Sequence, residues 1–157
     1  MNELVDAMSE SSRAIRKKYK YDTLYMQVAE AIADMSVDPK HKVGAIIVKD
    51  GILAEGWNGA PTGFPNKTRD DDNKTHPWII HAEQNALAKC ARKGIACEGA
   101  AIYITLAPCR DCSRLIIQSG IKEVIYRDSF EKDEEGLKML ERAGIDVVHY
   151  ARKPYVG

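Results

Sequence analysis

Two short segments hold residue types that could do chemistry together: His81-Ala82-Glu83 and Pro108-Cys109-Arg110-Asp111-Cys112. Cys109 and Cys112 are three positions apart, so within the first turn of a helix both sulfurs face the same way. A helix N-terminus carries partial positive charge, which favours thiolates over thiols. Two thiolates and one imidazole give a zinc ion three protein ligands and leave its fourth tetrahedral position open, as catalytic rather than structural sites do. Glu83, two residues past His81 on a helix, cannot reach the metal from the histidine's direction and would instead overhang the open position. There it could take a proton from a water whose pKa zinc lowers from about 16 to roughly 7. Two thiolates donate more charge than imidazoles, so the lowering is smaller here and a nearby base matters more. Each segment alone is weak, because a lone Cys-x-x-Cys is as readily redox-active, structural or accidental, and histidine near a helix start is common. Together, separated by 24 residues, they are specific.

These side chains need elements to hold them, and the chain is large enough to build them. It has 157 residues, 45% apolar and 29% charged, the size of one ordinary domain. Lys plus Arg and Asp plus Glu both total 23, so there is no basic excess for wrapping a long polyanion. No apolar run is long enough for a transmembrane span, the first ten residues do not read as a secretory leader, and four cysteines are too few for a disulfide scaffold. A cytoplasmic protein with reduced thiols is expected.

Residues 1–20 read as an N-terminal extension whose cations Arg13, Arg16, Lys17, Lys18 and Lys20 form either an anion patch or a solvated helix face. The main domain is expected over residues 21–152. Leu24, Val28, Ile32 and Met35 share one helical stripe that ends before Asp38-Pro39. The β-rich runs 43–49 and 52–57 flank Asp50-Gly51, a hairpin signal. Residues 58–77 read as a long irregular lid or a disordered insert. Helix from 81 to 93, strand 100–105, helix 109–119, strand 122–126, helix 133–143 and strand 145–150 follow, with Gly94, Gly120 and Gly144 as stops. Alternating strand and helix imply parallel pairing, so the fold class is α/β, a five-stranded mixed sheet with helices on both faces.

His-x-Glu followed by Pro-Cys-x-x-Cys matches the zinc deaminase signature. Four stretches (56–61, 81–86, 105–112 and 116–124) make the chain resemble the deoxycytidylate (dCMP) deaminases of the cytidine deaminase-like superfamily, over roughly residues 21–150. The zinc motifs are superfamily-wide, while the Gly-x-Asn-Gly-x-Pro loop and Asn85 favour the dCMP branch. The resemblance implies a three-layer sandwich, one catalytic Zn2+ on His81, Cys109 and Cys112, and hydrolysis of dCMP to dUMP, which supplies thymidylate synthesis. Glu83 would carry a water proton to ring N3 and then to the departing amine.

The same resemblance implies that Asn58 contacts sugar and pyrimidine, the Ala82 backbone the ring carbonyl, and the Ala107 carbonyl the amino group. Asn58 could equally be a left-handed turn residue before Gly59, and Asn85 a helix-start residue. Tyr126 is a candidate for the base pocket, or a core aromatic. Cys90 and Cys97 read as ordinary buried thiols. A homo-oligomer, commonly a hexamer, activated by dCTP and inhibited by dTTP, is implied too, with Gly56, Asn58, Gly59 and Arg16 as effector candidates. The acidic run Asp70-Asp71-Asp72 would repel a triphosphate unless Mg2+ intervened.

Trp57 stands where tyrosine is usual and Phe64 where a cysteine often follows the lid glycine. No cysteine precedes Cys90, so a second zinc is not expected. Lys67, Arg69, Lys74 and His76 are lid candidates for the 5′-phosphate, each by default a solvated charge. Two other readings stand beside this one: the same chemistry on dCTP or on a base in tRNA or single-stranded DNA, and a zinc-stabilised binding module without turnover. Glu83 argues against the last, because a structural site has no use for a carboxylate over its open position.

Overall fold

The structure, a computed structural model, describes the backbone of residues 2–152 and the side chains of residues 10–152. Helix α1 (Asn2–Ala33) precedes the strands β1 (Gly44–Val48) and β2 (Ile52–Trp57), then α2 (Ala82–Lys93), β3 (Ala101–Leu106), α3 (Arg110–Gln118), β4 (Glu123–Asp128), α4 (Glu134–Arg142) and β5 (Asp146–His149). The hairpin between β1 and β2 turns on Asp50 and Gly51, both at positive φ (53° and 117°), as the dipeptide requires. Strand order is β2-β1-β3-β4-β5, antiparallel around β1 and parallel from β3 to β5. This is the mixed five-stranded sheet expected from the alternation of elements.

The sheet separates two cores. On one face α1 packs Met26 and Ala29 against Ile46, Tyr103, Ile125 and Tyr150. On the other, Ala82, Ala86 and Cys90 of α2, Ile116 of α3 and Leu140 of α4 cover Ala45, Ile47, Ala54, Ile102, Ile104 and Val124. Cys90 and Cys97 lie buried in this second core as free thiols.

Helix α1 follows the expected stripe only in part, through Val28 and Ile32. Leu24 and Met35 are exposed, while the small residues Ala29 and Ala33 are buried. The reason is close approach: a Cβ on Gly44 would lie 2.1 Å from the Ala29 carbonyl oxygen and 2.5 Å from the Ala33 nitrogen. A helix seated that near a strand puts its small residues at the point of closest approach, while Met26, Val28 and Ile32 pack to either side of it. The same helix also runs unbroken through residues 20 and 21, and the residues of 10–21 are all exposed. Lys18 reaches Glu123 at 2.7 Å and Asp22 at 3.2 Å, so one of the five cations is held in ion pairs. Among the described residues, no helix is long and apolar enough to cross a membrane.

Candidate active site

The two chemistry-bearing segments both lie at helix starts on the three-helix face, one entered from the long segment 58–80 and the other as the chain leaves β3. His81 is the N-cap of α2, and its backbone N–H donates to Gln84 Oε1 at 2.8 Å, fixing the entry. Cys109 is the N-cap of α3, and Cys112 is buried in that helix's first turn. His81 Nδ1 lies 3.3 Å from Cys112 Sγ and 3.6 Å from Cys109 Sγ, and the three ligand atoms sit within 4.8 Å of one another. Zinc bonds of about 2.0–2.3 Å give a tetrahedron with edges of about 3.5–3.8 Å, so the donor set fits zinc by type and by spacing.

Glycines set both helix starts. A Cβ on Gly56 of β2 would meet the Ala82 carbonyl oxygen at 2.2 Å and the Ala86 nitrogen at 2.5 Å. One on Gly136 of α4 would meet the Pro108 carbonyl oxygen at 2.3 Å and the Cys109 carbonyl carbon at 2.9 Å. Gly56 therefore has a packing role that accounts for it independently of any effector.

Charge at the cluster is mutually dependent. The Cys109 thiol is held down to about 3, first by the hydrogen bond from Cys112 and then by that from His81. Cys112 is pushed up by the Cys109 thiolate and by burial, so the pair carries a single negative charge until a dication lets both ionise. Glu83, 4% exposed, has its carboxyl raised to about 7 by burial. A dication beside it would pull that value down.

His81, Glu83 and Cys109 border a cavity of about 290 Å³ that also takes in Ala82, Ala107 and Asn58, with Cys112 buried behind them. Asn58 is a clamp: its Oδ1 accepts from the Val43 N–H and its Nδ2 donates to the His41 carbonyl, both at 2.8 Å. It is not among the residues at positive φ, so the left-handed turn alternative does not hold. Asn85 donates to the Trp57 carbonyl at 3.0 Å, tying α2 to the end of β2. Tyr126 is not among the cavity's lining residues; its ring packs on its register neighbour His149, 5.1 Å between centroids. Arg16 is separated from the group Gly56, Asn58 and Gly59 by most of α1, about 25 Å of helix from Arg16 to Ala33. One chain does not bring them together.

The long segment 58–80 is ordered. Gly59 bridges to Ile80 and Arg69 to Thr75, and Asp70 Oδ1 accepts the Lys74 N–H at 2.8 Å. Its anchor is Arg69, whose Nε and Nη2 donate to Asp38 at 3.1–3.3 Å and whose Nη1 donates to the Asn73 carbonyl. Asp38, 2% exposed, also accepts the N–H groups of Lys40 and His41, both at 2.8 Å. Burial opposes its ionisation, but these donors, with Thr68, prevail and hold the carboxyl at about 2.

Sequence reading did not single out Asp38, His41, Thr75, Ile79, Phe130 or Lys132 as site residues, yet all line the cavity. Asp38-Pro39 was legible as a helix stop; nothing in the pattern pointed from it to Arg69, 31 positions away. A second hollow, of about 390 Å³, lies between the loop Gly59–Thr62 and α2, bordered by Trp57, Asn85, Lys89 and Arg92. Lys89 pairs with Glu55 at 2.9 Å and stands 4.4 Å over the Trp57 ring.

Residues 19–128 match the family described as the cytidine and deoxycytidylate deaminase zinc-binding region. The deoxycytidylate deaminase of Homo sapiens is 37% identical over 139 residues, 82% of this chain and 77% of that protein. That of Enterobacteria phage T4 is 32% identical over 171 residues, 82% of this chain and 89% of its own. Against the Saccharomyces cerevisiae deoxycytidylate deaminase the identity is 35% over 83% of this chain, which spans only 45% of that longer protein. The dCMP deaminase of cyanophage S-TIM5, solved with dCMP and dUMP, superposes with a TM-score of 0.80 at 41% identity, covering 83% of this chain and 97% of that one.

Proposed function

The chain belongs to the cytidine and deoxycytidylate deaminase family, and from that premise we propose that it hydrolyses dCMP to dUMP and ammonia, supplying dUMP for thymidylate synthesis. The observation that carries this reading is the clustering of His81, Cys109 and Cys112 beside one small cavity that His81, Cys109 and the buried carboxyl of Glu83 line. The cavity lies at the lower end of the range for small-molecule sites, about 300–1,000 Å³, which suits one nucleotide better than a strand. In the S-TIM5 protein a related fold holds dCMP and dUMP.

His81, Cys109 and Cys112 would hold a zinc ion. Zinc supplies Lewis acidity and makes a water acidic enough to lose a proton near neutral pH. Glu83 accepts that proton and delivers it to ring N3 while the water oxygen bonds to C4. It then moves a second proton to the exocyclic amine, the C4–N bond breaks, and ammonia leaves with the keto oxygen in its place. The Ala82 backbone faces the ring carbonyl and the Ala107 carbonyl the amino group, while Asn58 orders the cavity wall and contacts the sugar.

Regulation by dCTP with Mg2+, opposed by dTTP, and a homo-oligomeric, hexameric assembly in the cytoplasm complete the reading. Support for the effector part comes from the second hollow, where Lys89 and Arg92 face the loop Gly59–Thr62. Arg16 could serve that hollow only from another copy. Ammonia release from dCMP, dCTP, cytidine and a cytosine-bearing oligonucleotide, measured side by side, tests the substrate; turnover of the oligonucleotide alone would overturn it. dCMP saturation should be sigmoidal, straightened by dCTP with Mg2+ and restored by dTTP. A hyperbola unmoved by either removes the effector reading.

A further inference from the structure

Helix α1 begins well before the sheet that seats it. Met26, Ala29 and Ala33 are buried, and Asp22 accepts from the Tyr103 hydroxyl at 2.6 Å, whereas every residue from 10 to 21 is exposed. The backbone is helical from Asn2, so the arm ahead of Asp22 is about 30 Å long at 1.5 Å per residue. Residues 2–18 also lie outside the stretch 19–128 that matches the deaminase family, and the shared domain does not account for them. A helix holds in water chiefly by packing an apolar face, and the arm has one. Positions 19, 15, 8 and 4, occupied by Tyr, Ile, Met and Leu, precede Met26 by about two, three, five and six turns of 3.6 residues. All five therefore share the side of α1 that faces the sheet further along. Where the sheet ends, the stripe goes on: Met26 is fully buried and Ile15 is 70% exposed.

The charges say what covers it. Glu3, Asp6 and Glu10 precede Ser11, while Arg13, Arg16, Lys17, Lys18 and Lys20 follow Ser12. Two copies laid antiparallel, centred between Ser11 and Ser12, bring position 3 level with 20, 6 with 17 and 10 with 13, acid against base each time. Positions 4 and 8 then fall opposite 19 and 15, apolar against apolar, and the two small serines meet at the middle. Every such match is reciprocal, as a two-fold pair demands. Laid parallel, the same arms would set cations beside cations. The acids, and all the cations but Lys18, stand off the stripe, where salt screens them, so they choose the direction while the stripe supplies the contact. An anionic lipid surface or a nucleic acid would meet the cations but also the three acids, which occupy the other half of the arm.

We infer that the first twenty residues are a dimerisation arm, pairing antiparallel with the same arm of a second copy of this chain about Ser11 and Ser12. The inference is independent of the substrate. Disulfide trapping in the dilute full-length protein tests it, with wild type as the blank, since its own thiols lie in the core or the metal cluster. Ser11→Cys places a thiol beside the two-fold axis and should yield a linked dimer; adding Ile15→Glu should lower that yield at least about tenfold by charging the stripe. Direction is read from Met8→Cys, Ile15→Cys and the double variant. In the antiparallel pair like-numbered cysteines at these positions stand about 10 Å apart along the axis, beyond the roughly 7 Å that a disulfide spans between Cα atoms. The single variants should therefore stay unlinked and the double variant should link. Linkage of either single variant means a parallel pair and overturns the proposal. It is overturned equally by unlinked Ser11→Cys and double variants, or by a Ser11→Cys dimer indifferent to Ile15→Glu. Co-sedimentation of the unlinked chain with phosphatidylserine vesicles, or its retention on a single-stranded oligonucleotide, would then assign the arm to that surface instead.

Discussion

Replacing Asp38 with asparagine preserves the side chain's shape and removes its charge, leaving the Arg69 cation without its counter-ion. The structure sizes the effect. Burial works against the carboxylate, the His41 and Lys40 N–H groups, Arg69 and Thr68 work for it, and the outcome is a pKa of about 2 against an ordinary 3.8. That interval corresponds to about 2.5 kcal/mol of folding free energy carried by the ionised form. Because the folded value lies below the unfolded one, the contribution is complete above about pH 4 and disappears as pH falls toward 2. Urea unfolding of wild type and Asp38→Asn at several pH values between 2 and 6 measures it. Trp78, in the lid, and Trp57, at the end of β2, report the transition by fluorescence. Acid release of metal is common to both proteins and cancels in the difference. The gap between them should shrink by about 2 kcal/mol from pH 6 to pH 2. A gap that stays constant over that range would refute the reasoning, because the protonated aspartate and the asparagine should then be equivalent partners for Arg69.

Glu83→Gln should retain zinc, since no ligand changes, while kcat falls by at least about 10²–10⁴; metal analysis beside ammonia release checks both, and normal turnover would end the proton-carrier role. Cys109→Ala and Cys112→Ala should each lose metal and activity together, two ligands holding zinc poorly. One zinc per chain at full rate in either would reassign the ligands. Gly56→Ala should destabilise by about 1–3 kcal/mol or more, because the added methyl meets helix backbone rather than a movable side chain. An unchanged urea midpoint would show that β2 and α2 can separate freely.

The readable parts of the molecule are those whose physics is local. Asp50-Gly51 announces its turn because few other residues accept two positive φ values in succession, and Gly94 ends α2 at φ 67° for a similar reason. The metal cluster is also locally encoded: each half sits at a helix start, His81 as the N-cap of α2 and Cys109 as the N-cap of α3. Long-range pairings were not legible. Arg69 carried the same weight as Lys67 on paper, and only its approach to Asp38 distinguishes them. The stripe on α1 holds at Val28 and Ile32 but not at Leu24 and Met35, because periodicity rewards large apolar residues whereas Gly44 draws the helix in through Ala29 and Ala33. Arg16 and Asn58 looked like plausible partners until one unbroken helix set them far apart. Tyr126 had the right chemistry for a base pocket, but its ring is engaged by a cross-strand neighbour.

The glycine seats under the two ligand-bearing helix starts bear on how portable this centre is. A designer copying it into another α/β scaffold would naturally transplant the histidine, the glutamate and the two cysteines. Those four residues would arrive without their foundations. With a methyl at position 56 or 136, the backbone above would have to rise by about 1 Å to recover ordinary contact. Zinc–ligand bonds tolerate only about ±0.2 Å. Two residues with no side chain at all therefore set the height of the metal's ligands, and a graft that omitted them would reproduce the chemistry's cast while losing its stage.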